Sequence, residues 1–426
     1  MTADGLIDIE NRLERSKAAP EVFLAVTDAR ARGEAAAYRA RLQAGGSLGP
    51  LDGATVSWKD MIAVAGVITT AGSRTRLGMP TASCDAPVVQ RGASAGLITI
   101  GTTNLSEFAF SGVGHNPHFG TPLVDGRVPG GSSSGAAASV ARGLVRLAVG
   151  TDTAGSCRVP AAFHGLFGFR PTQGRYPMDG VLPLAPDFDT VGLITGTAED
   201  LRDLDAVLSG DHSIPDQQAQ IVLDAHATDR ASPEIAHAVS ETLAEAGRAG
   251  FSCTRQPSTL LSEAITLIDK QGWPGGIDAA RTHAELMSSD QFALVDPLVA
   301  SRLQRAEGAD RAAMDGVRCA AQNLRQRWPQ QSIVVALPTV ALMAPNAEPL
   351  LSDPKLYSRV NADILRLTMA ASLLDLPAVT LPVAQLAPGQ WCGLQLVGAP
   401  NTDRALLTLA CALAGRLCIK GHRIDP

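Results

Sequence analysis

Apolar positions divide the chain into stretches of different texture. Leu6, Ile9 and Leu13, followed by Val22, Leu24 and Val26, give the first 46 residues apolar faces. Ala35 to Leu42 is rich in helix formers, and Gly45-Gly46 stops the run, so 1–46 is expected to be a helical segment. From Gly49 the pattern shortens. β-branched and apolar runs at Ala54–Trp58, Val88–Val89 and Leu97–Ile100 predict strands between glycine turns and helices. Ala136–Leu144 has the pattern of a helix, and Val145–Val149 is apolar apart from Arg146. Residues 198–330 look mostly helical, with a helix start at Ser232-Pro233-Glu234 and polar loops near 210–220 and 253–258. Strand patterns return at 332–337, 377–382 and 392–397, and a last helix is expected over about 402–416. The alternation implies an α/β layer with a largely parallel or mixed sheet. No internal repeat is visible. The late strands are expected to complete the early sheet, which predicts one interwoven domain.

Composition narrows the class. The 426 residues are 45% hydrophobic and 18% charged, enough apolar material for a sizeable core and too much for a disordered chain. The net charge of −6 and the lack of a basic stripe exclude nucleic acid as a partner. The N-terminus lacks the basic and apolar regions of a signal peptide, and no apolar run reaches the roughly 20 residues that span a bilayer, so no membrane partner is expected. Seven scattered cysteines without a C-x-x-C pair fit a reduced, cytoplasmic setting.

Two loops carry candidate chemistry. In Pro129-Gly-Gly-Ser-Ser-Ser-Gly135, glycines allow close backbone approach, and three hydroxyls sit at a helix start. Either a ligand site or a plain serine cap accounts for it. In Gly150-Thr-Asp-Thr-Ala-Gly-Ser156, small residues before a serine allow several N–H groups to point one way, as an oxyanion requires; a tight turn in a small-residue core is the alternative. A serine nucleophile needs a base. His115 and His118 flank Asn116-Pro117, which breaks the helix that would align them, and no acidic or cysteine cluster lies nearby to make a metal site. His164 is expected to pack or hydrogen-bond near the second loop. Gly131-Ser-Ser-Ser-Gly135 formally matches the G-x-S-x-G nucleophile elbow, but the polar, proline-broken residues before it are no strand. Lysine is the other base. Lys59 ends the apolar run Thr55-Val-Ser-Trp58, and burial there would lower its pKa; the alternative is a surface pair with Asp60.

Together, Ser57-Trp-Lys-Asp-Met61, Gly130-Gly-Ser-Ser-Ser-Gly135 and Gly150–Ser156 resemble the amidase signature family, in its order and with its 24-residue spacing between Ser132 and Ser156. Flanking text is similar too: Asp85–Arg91, Gly101–Phe108, Val159–Phe163, Gly165–Thr172 and Gly393–Gly398. The resemblance is dense over about 50–200, returns over 375–415 and is weak through 210–330. It implies a single amidase-signature domain over 47–426, with a central mixed, mostly parallel twisted sheet covered by helices on both faces. Residues 1–46 would pack on this core, and 210–330 would be a mostly helical cover over the substrate. By the same resemblance, Ser156 is the nucleophile that forms an acyl-enzyme, Ser132 the bridging serine after a cis peptide, and Lys59 the base. The N–H groups of Thr153, Ala154, Gly155 and Ser156 would form the oxyanion hole. Gly131 and Ser133 would support the substrate and the Ser132 geometry. No cofactor or metal is implied, and a homodimer is compatible.

Arg158, two residues past Ser156, is the candidate for specificity. Thr153–Phe163 looks like allophanate hydrolases and malonamate-type amidases, so Arg158 would clamp a substrate carboxylate; pairing with Asp152 as a strut is the alternative. The expected function is hydrolysis of a small amide or ureido substrate, with release of ammonia. The alternatives are the glutaminase subunit of a tRNA-dependent amidotransferase, which the Asp85–Arg91 text resembles, or a non-catalytic binding member.

Overall fold

The computed structural model describes residues 8–215, 219–329 and 332–421. Among these, eleven strands form one sheet. They are β1 (Phe23–Val26), β2 (Thr55–Lys59), β3 (Ile98–Thr103), β4 (Leu147–Thr151), β5 (Phe167–Arg170), β6 (Val191–Thr195), β7 (Gln220–Asp224), β8 (Ser252–Gln256), β9 (Ile333–Pro338), β10 (Ala378–Ala387) and β11 (Gln390–Val397). Their spatial order is β1-β3-β2-β4-β6-β5-β10-β11-β9-β7-β8. The late strands do lie inside the early sheet, with β10 paired to β5.

The sheet is mixed, but less parallel than expected. Six of its ten pairings are antiparallel, and the parallel ones are β2 with β3 and β4, and β7 with β8 and β9. Both faces are covered. Alternate residues show it: Leu147 and Val149 of β4 join one apolar cluster with helices Ala198–Ser209 and Asp403–Arg416, while Ala148 joins another with helix Ser134–Ala141. A third cluster holds Val335 and Leu337 of β9 against helix Pro354–Leu373.

Three expectations are corrected. The first 46 residues are not all helix: β1 lies between helices Ile9–Lys17 and Asp28–Gln43 and pairs antiparallel with β3. The period-two spacing of Val22, Leu24 and Val26 was the strand signal; Leu6 lies outside the described residues. Val88 and Val89 belong to helix Pro87–Ser94, where Pro87 at the first turn starts the helix and both valines are buried. The polar stretch from 253 is mostly strand β8, an edge strand with an exposed side, hence its polar composition. The region 210–330 is therefore helical around two strands. Its first polar loop is irregular up to β7, with 216–218 outside the described residues.

Candidate active site

The parallel strands β2, β3 and β4 end on the same side of the sheet, where α/β sheets commonly bind ligands. Lys59 ends β2, Thr103 ends β3 and Thr151 ends β4. Every residue of the three strands is buried, Lys59 completely. The ammonium Nζ reaches Ser132 Oγ at 2.7 Å and Thr151 Oγ1 at 2.8 Å. Burial pushes Lys59 down to about 8, against the pull of Cys157, Asp152 and Asp189. Asp60 is not its partner. That carboxyl turns to Thr70 and is itself pushed up to about 7 by burial.

Ser132 sits in the loop before helix Ser134–Ala141, and the Gly131–Ser132 peptide is cis. The residues ahead of this loop form isolated bridges and a turn rather than a strand, unlike a nucleophile elbow. Ser133 bonds neither the Lys59 nor the Ser132 side chain. Its N–H donates to Ser156 O at 3.1 Å and its Oγ to Thr151 O at 3.2 Å, so it ties the two serine loops together. Gly131 N–H donates to Gly112 O at 2.8 Å. Neither residue lines the cavity at Ser156, contrary to their expected contact with substrate.

Asp152 organises the second loop. Its carboxylate accepts from the N–H groups of Gly155 (2.8 Å) and Cys157 (3.1 Å) and is paired by Arg158. Burial pushes this carboxyl up, but the Arg158 charge and hydrogen bonds hold it at about 2. Gly155 has φ +137, and a Cβ there would lie 2.2 Å from Thr368 Oγ1, so only glycine fits. Ala154 has no such strain, and its carbonyl accepts from Thr368 Oγ1 at 2.6 Å. The Gly155 N–H, one of the four expected oxyanion donors, is held by Asp152 instead. The N–H groups of Thr153, Ala154 and Ser156 have no acceptor among the described residues. Asp189 accepts from Thr153 Oγ1 at 2.6 Å and steadies that end.

Arg158 is not a clamp. It is fully buried, and its donors go to Asp152 Oδ2 (3.1 Å) and Oδ1 (2.9 Å), Thr368 O (2.9 Å), Gln395 Oε1 (2.7 Å) and Ser372 Oγ (2.9 Å). No donor is left for a substrate. The expected carboxylate contact is corrected to the strut, because the guanidinium points into the core toward helix Pro354–Leu373 and β11.

Ser156 is 4% exposed and opens on a cavity of about 30 Å³, whose walls include Phe110, Ser111, Leu184, Trp273 and Arg302. A larger cavity of about 480 Å³ lies beside it, lined by Met61, Arg76, Phe108, Leu182 and His283 among others. Met61, which lines it, has its Sδ 4.0 Å from Thr151 Oγ1. Sequence reasoning missed Thr151, Asp189, Thr368 and Arg302. Thr151 stood in the Gly150–Ser156 run and was legible; the other three are distant in sequence. His118 Nε2 lies 3.2 Å from Glu107, His115 bonds Thr121, and no group of three or more metal-ligating side chains forms among the described residues.

The fold is an α/β sheet covered by helices on both faces, and the site gathers a buried lysine and two serines at the ends of its parallel strands. The amidase family model matches residues 9–407, and the chain belongs to that family. It is 34% identical over 422 residues to the 2-amino-5-chloromuconic acid deaminase of Comamonas testosteroni, covering 93% of this chain and 88% of that protein. It is 46% identical over 164 residues to the indoleacetamide hydrolase of Pseudomonas savastanoi, 38% of this chain and 36% of that protein. One of the subunits of the glutamyl-tRNA(Gln) amidotransferase of Cupriavidus taiwanensis is 44% identical over 46% of this chain and 35% of its own length. Among solved structures, an amidase superposes with a TM-score of 0.82 at 28% identity, covering 96% of both chains. The enzyme hydrolyses carbon–nitrogen amide bonds, as its family does.

Proposed function

We propose that the chain hydrolyses a small amide through an acyl-enzyme on Ser156, with Ser132 and Lys59 as the proton relay. Ser156 Oγ attacks the amide carbon and passes its proton to Ser132, whose own proton goes to neutral Lys59 Nζ. The same route, reversed, delivers a proton to the leaving nitrogen as the C–N bond breaks, and water then hydrolyses the ester. The free N–H groups of Thr153, Ala154 and Ser156 would stabilise the oxyanion.

The observation that carries this reading is the 2.7 Å contact of a fully buried Lys59 with Ser132, with the lysine lowered to about 8. A buried lysine that faces only hydroxyls is poised to exchange protons rather than to hold a carboxylate. The two hydroxyls Ser132 and Ser156 share no hydrogen bond in this structure; the Ser133 N–H to Ser156 O bond at 3.1 Å holds their loops side by side. Rotation of the Ser156 hydroxyl toward Ser132 on substrate binding is part of the proposal. Likeness to the deaminase over 93% of this chain, against 46% for the amidotransferase component, supports an enzyme of small molecules over a part of that assembly.

Wild-type protein is expected to release ammonia from small amides and to take up a phenylmethanesulfonyl group on Ser156. Ser156→Ala is expected to abolish both while its thermal unfolding midpoint stays within a few degrees. Substantial residual turnover in that variant would refute the nucleophile. Glutamine hydrolysis that appears only with partner subunits and charged tRNA would favour the amidotransferase reading instead.

A further inference from the structure

The Ser156 cavity contains a cation that the relay does not use. Arg302 comes from helix Pro297–Glu307 and lines the same cavity as Ser156. Its guanidinium carbon lies 4.5 Å from the centroid of the Phe110 ring. It makes no hydrogen bond and no ion pair within the described residues, and its Nη1 is buried without a partner. Arg170 also has unbonded Nε and Nη2 atoms, but it and three other arginines have a carboxylate close by. Arg158, Arg170, Arg175 and Arg404 each lie within 4.0 Å of an aspartate carboxylate. The residue is partly buried and its Nη1 fully so; a guanidinium has donors only, and leaving a buried donor unmatched is unfavourable. One aromatic face offsets part of that. Burial lowers its pKa to about 10, with Tyr357 opposing and Arg305 adding to the shift, so it remains charged at neutral pH.

Its position is fixed by packing rather than by chance. Val299 and Leu303 of the same helix are buried in the core. The preceding Asp296 caps the helix through Leu298 N–H at 2.9 Å, and its own N–H donates to Glu107 Oε2 at 2.6 Å. One oxygen of each carboxylate is thus held by a backbone N–H, Glu107 Oε1 faces His118 Nε2 at 3.2 Å, and neither carboxylate forms an ion pair with Arg302. Beside the cation, Ser111 Oγ and Tyr357 OH bond each other at 2.6 Å, and Ser111 also faces the cavity.

We propose that Arg302 recognises a carboxylate in the Ser156 cavity, so that the natural substrate is a short-chain amide that also carries a carboxylate group. This rests on the reading of Ser156 as nucleophile. Ser156 and Arg302 share a cavity of only about 30 Å³, room for a small group. The carboxylate therefore lies close to the scissile carbonyl, as in an amide of a short dicarboxylic acid. Arg302 thereby takes the role that sequence suggested for Arg158, and it does so from the segment where family text is weakest.

The test compares malonamate with its neutral counterpart malonamide, in wild type, Arg302→Met and Arg302→Lys. The expected result is a loss of about 10- to 100-fold in kcat/KM on malonamate, at least tenfold greater than the loss on malonamide. It should fall mainly on KM and be partly restored by lysine. A second readout is binding: malonate should raise the unfolding midpoint of wild type and slow sulfonylation of Ser156, and both effects should vanish in Arg302→Met. Equal losses on the two amides, or equal malonate effects in both proteins, would overturn the assignment. If Ser156 takes no label and no amide is turned over, the nucleophile fails instead. The malonate-dependent shift in midpoint then still decides the carboxylate site.

Discussion

Lys59 owes its character to what surrounds it. A lysine followed by aspartate would ordinarily pair with it at the surface, but both are buried where β2 ends, and their side chains go to different hydroxyls. The lysine loses its hydration without gaining a carboxylate, so its neutral form becomes accessible near pH 8. The neutral amine is the form that accepts a proton, so kcat/KM should rise as pH increases through about 8 and then level off. Lys59→Met is expected to cost about 10²- to 10⁴-fold and to remove that limb from the profile. A limb that survives in the variant would assign it to another group. The order and spacing of Lys59, Ser132 and Ser156 were legible in the sequence. The depressed pKa followed only once burial was known.

At the level of elements, the loop 152–158 is held from within by one buried ion pair. Asp152 gathers Gly155, Cys157 and Arg158, and Arg158 fastens the loop to residues of helix Pro354–Leu373 and β11. Removing the cation would leave Asp152 buried without its charge partner. Arg158→Met is expected to cost about 3–5 kcal/mol in urea unfolding at neutral pH. The Asp152 carboxyl is depressed by this pair, so its contribution is present above its ordinary pKa and fades as pH falls through about 2. Unchanged stability with selective loss on charged substrates would instead restore the clamp. The sequence could not decide between strut and clamp. Thr368, Ser372 and Gln395, which absorb the guanidinium, lie more than 200 residues away along the chain. The edge strands β1 and β8 were missed for a related reason. One sits between helices and the other is polar, and only pairing with a neighbour makes either a strand.

For the whole molecule, the N-terminal segment supports the site without touching it. Ile9, Leu13, Val22 and Phe23 share a cluster with Ala136, Ala137 and Val140 of the helix that follows Ser132, and β1 covers the edge of β3. A variant lacking residues 1–26 would expose that edge with its buried Ile98 and Ile100. It is expected to sediment as aggregates and to lose ammonia release; a monodisperse, active truncation would contradict this. By itself, the sequence determined the α/β class, the family, and the order Lys59, Ser132, Ser156, because these are carried by local patterns and fixed spacings. Tertiary structure alone decided which cation is satisfied and which is not. Arg158 meets Asp152 nearby and three further partners from two distant elements, whereas Arg302 is brought beside Ser156 without a carboxylate. The charge balance of an arginine depends on what packs around it, and neighbours in space are not written in the residues beside it.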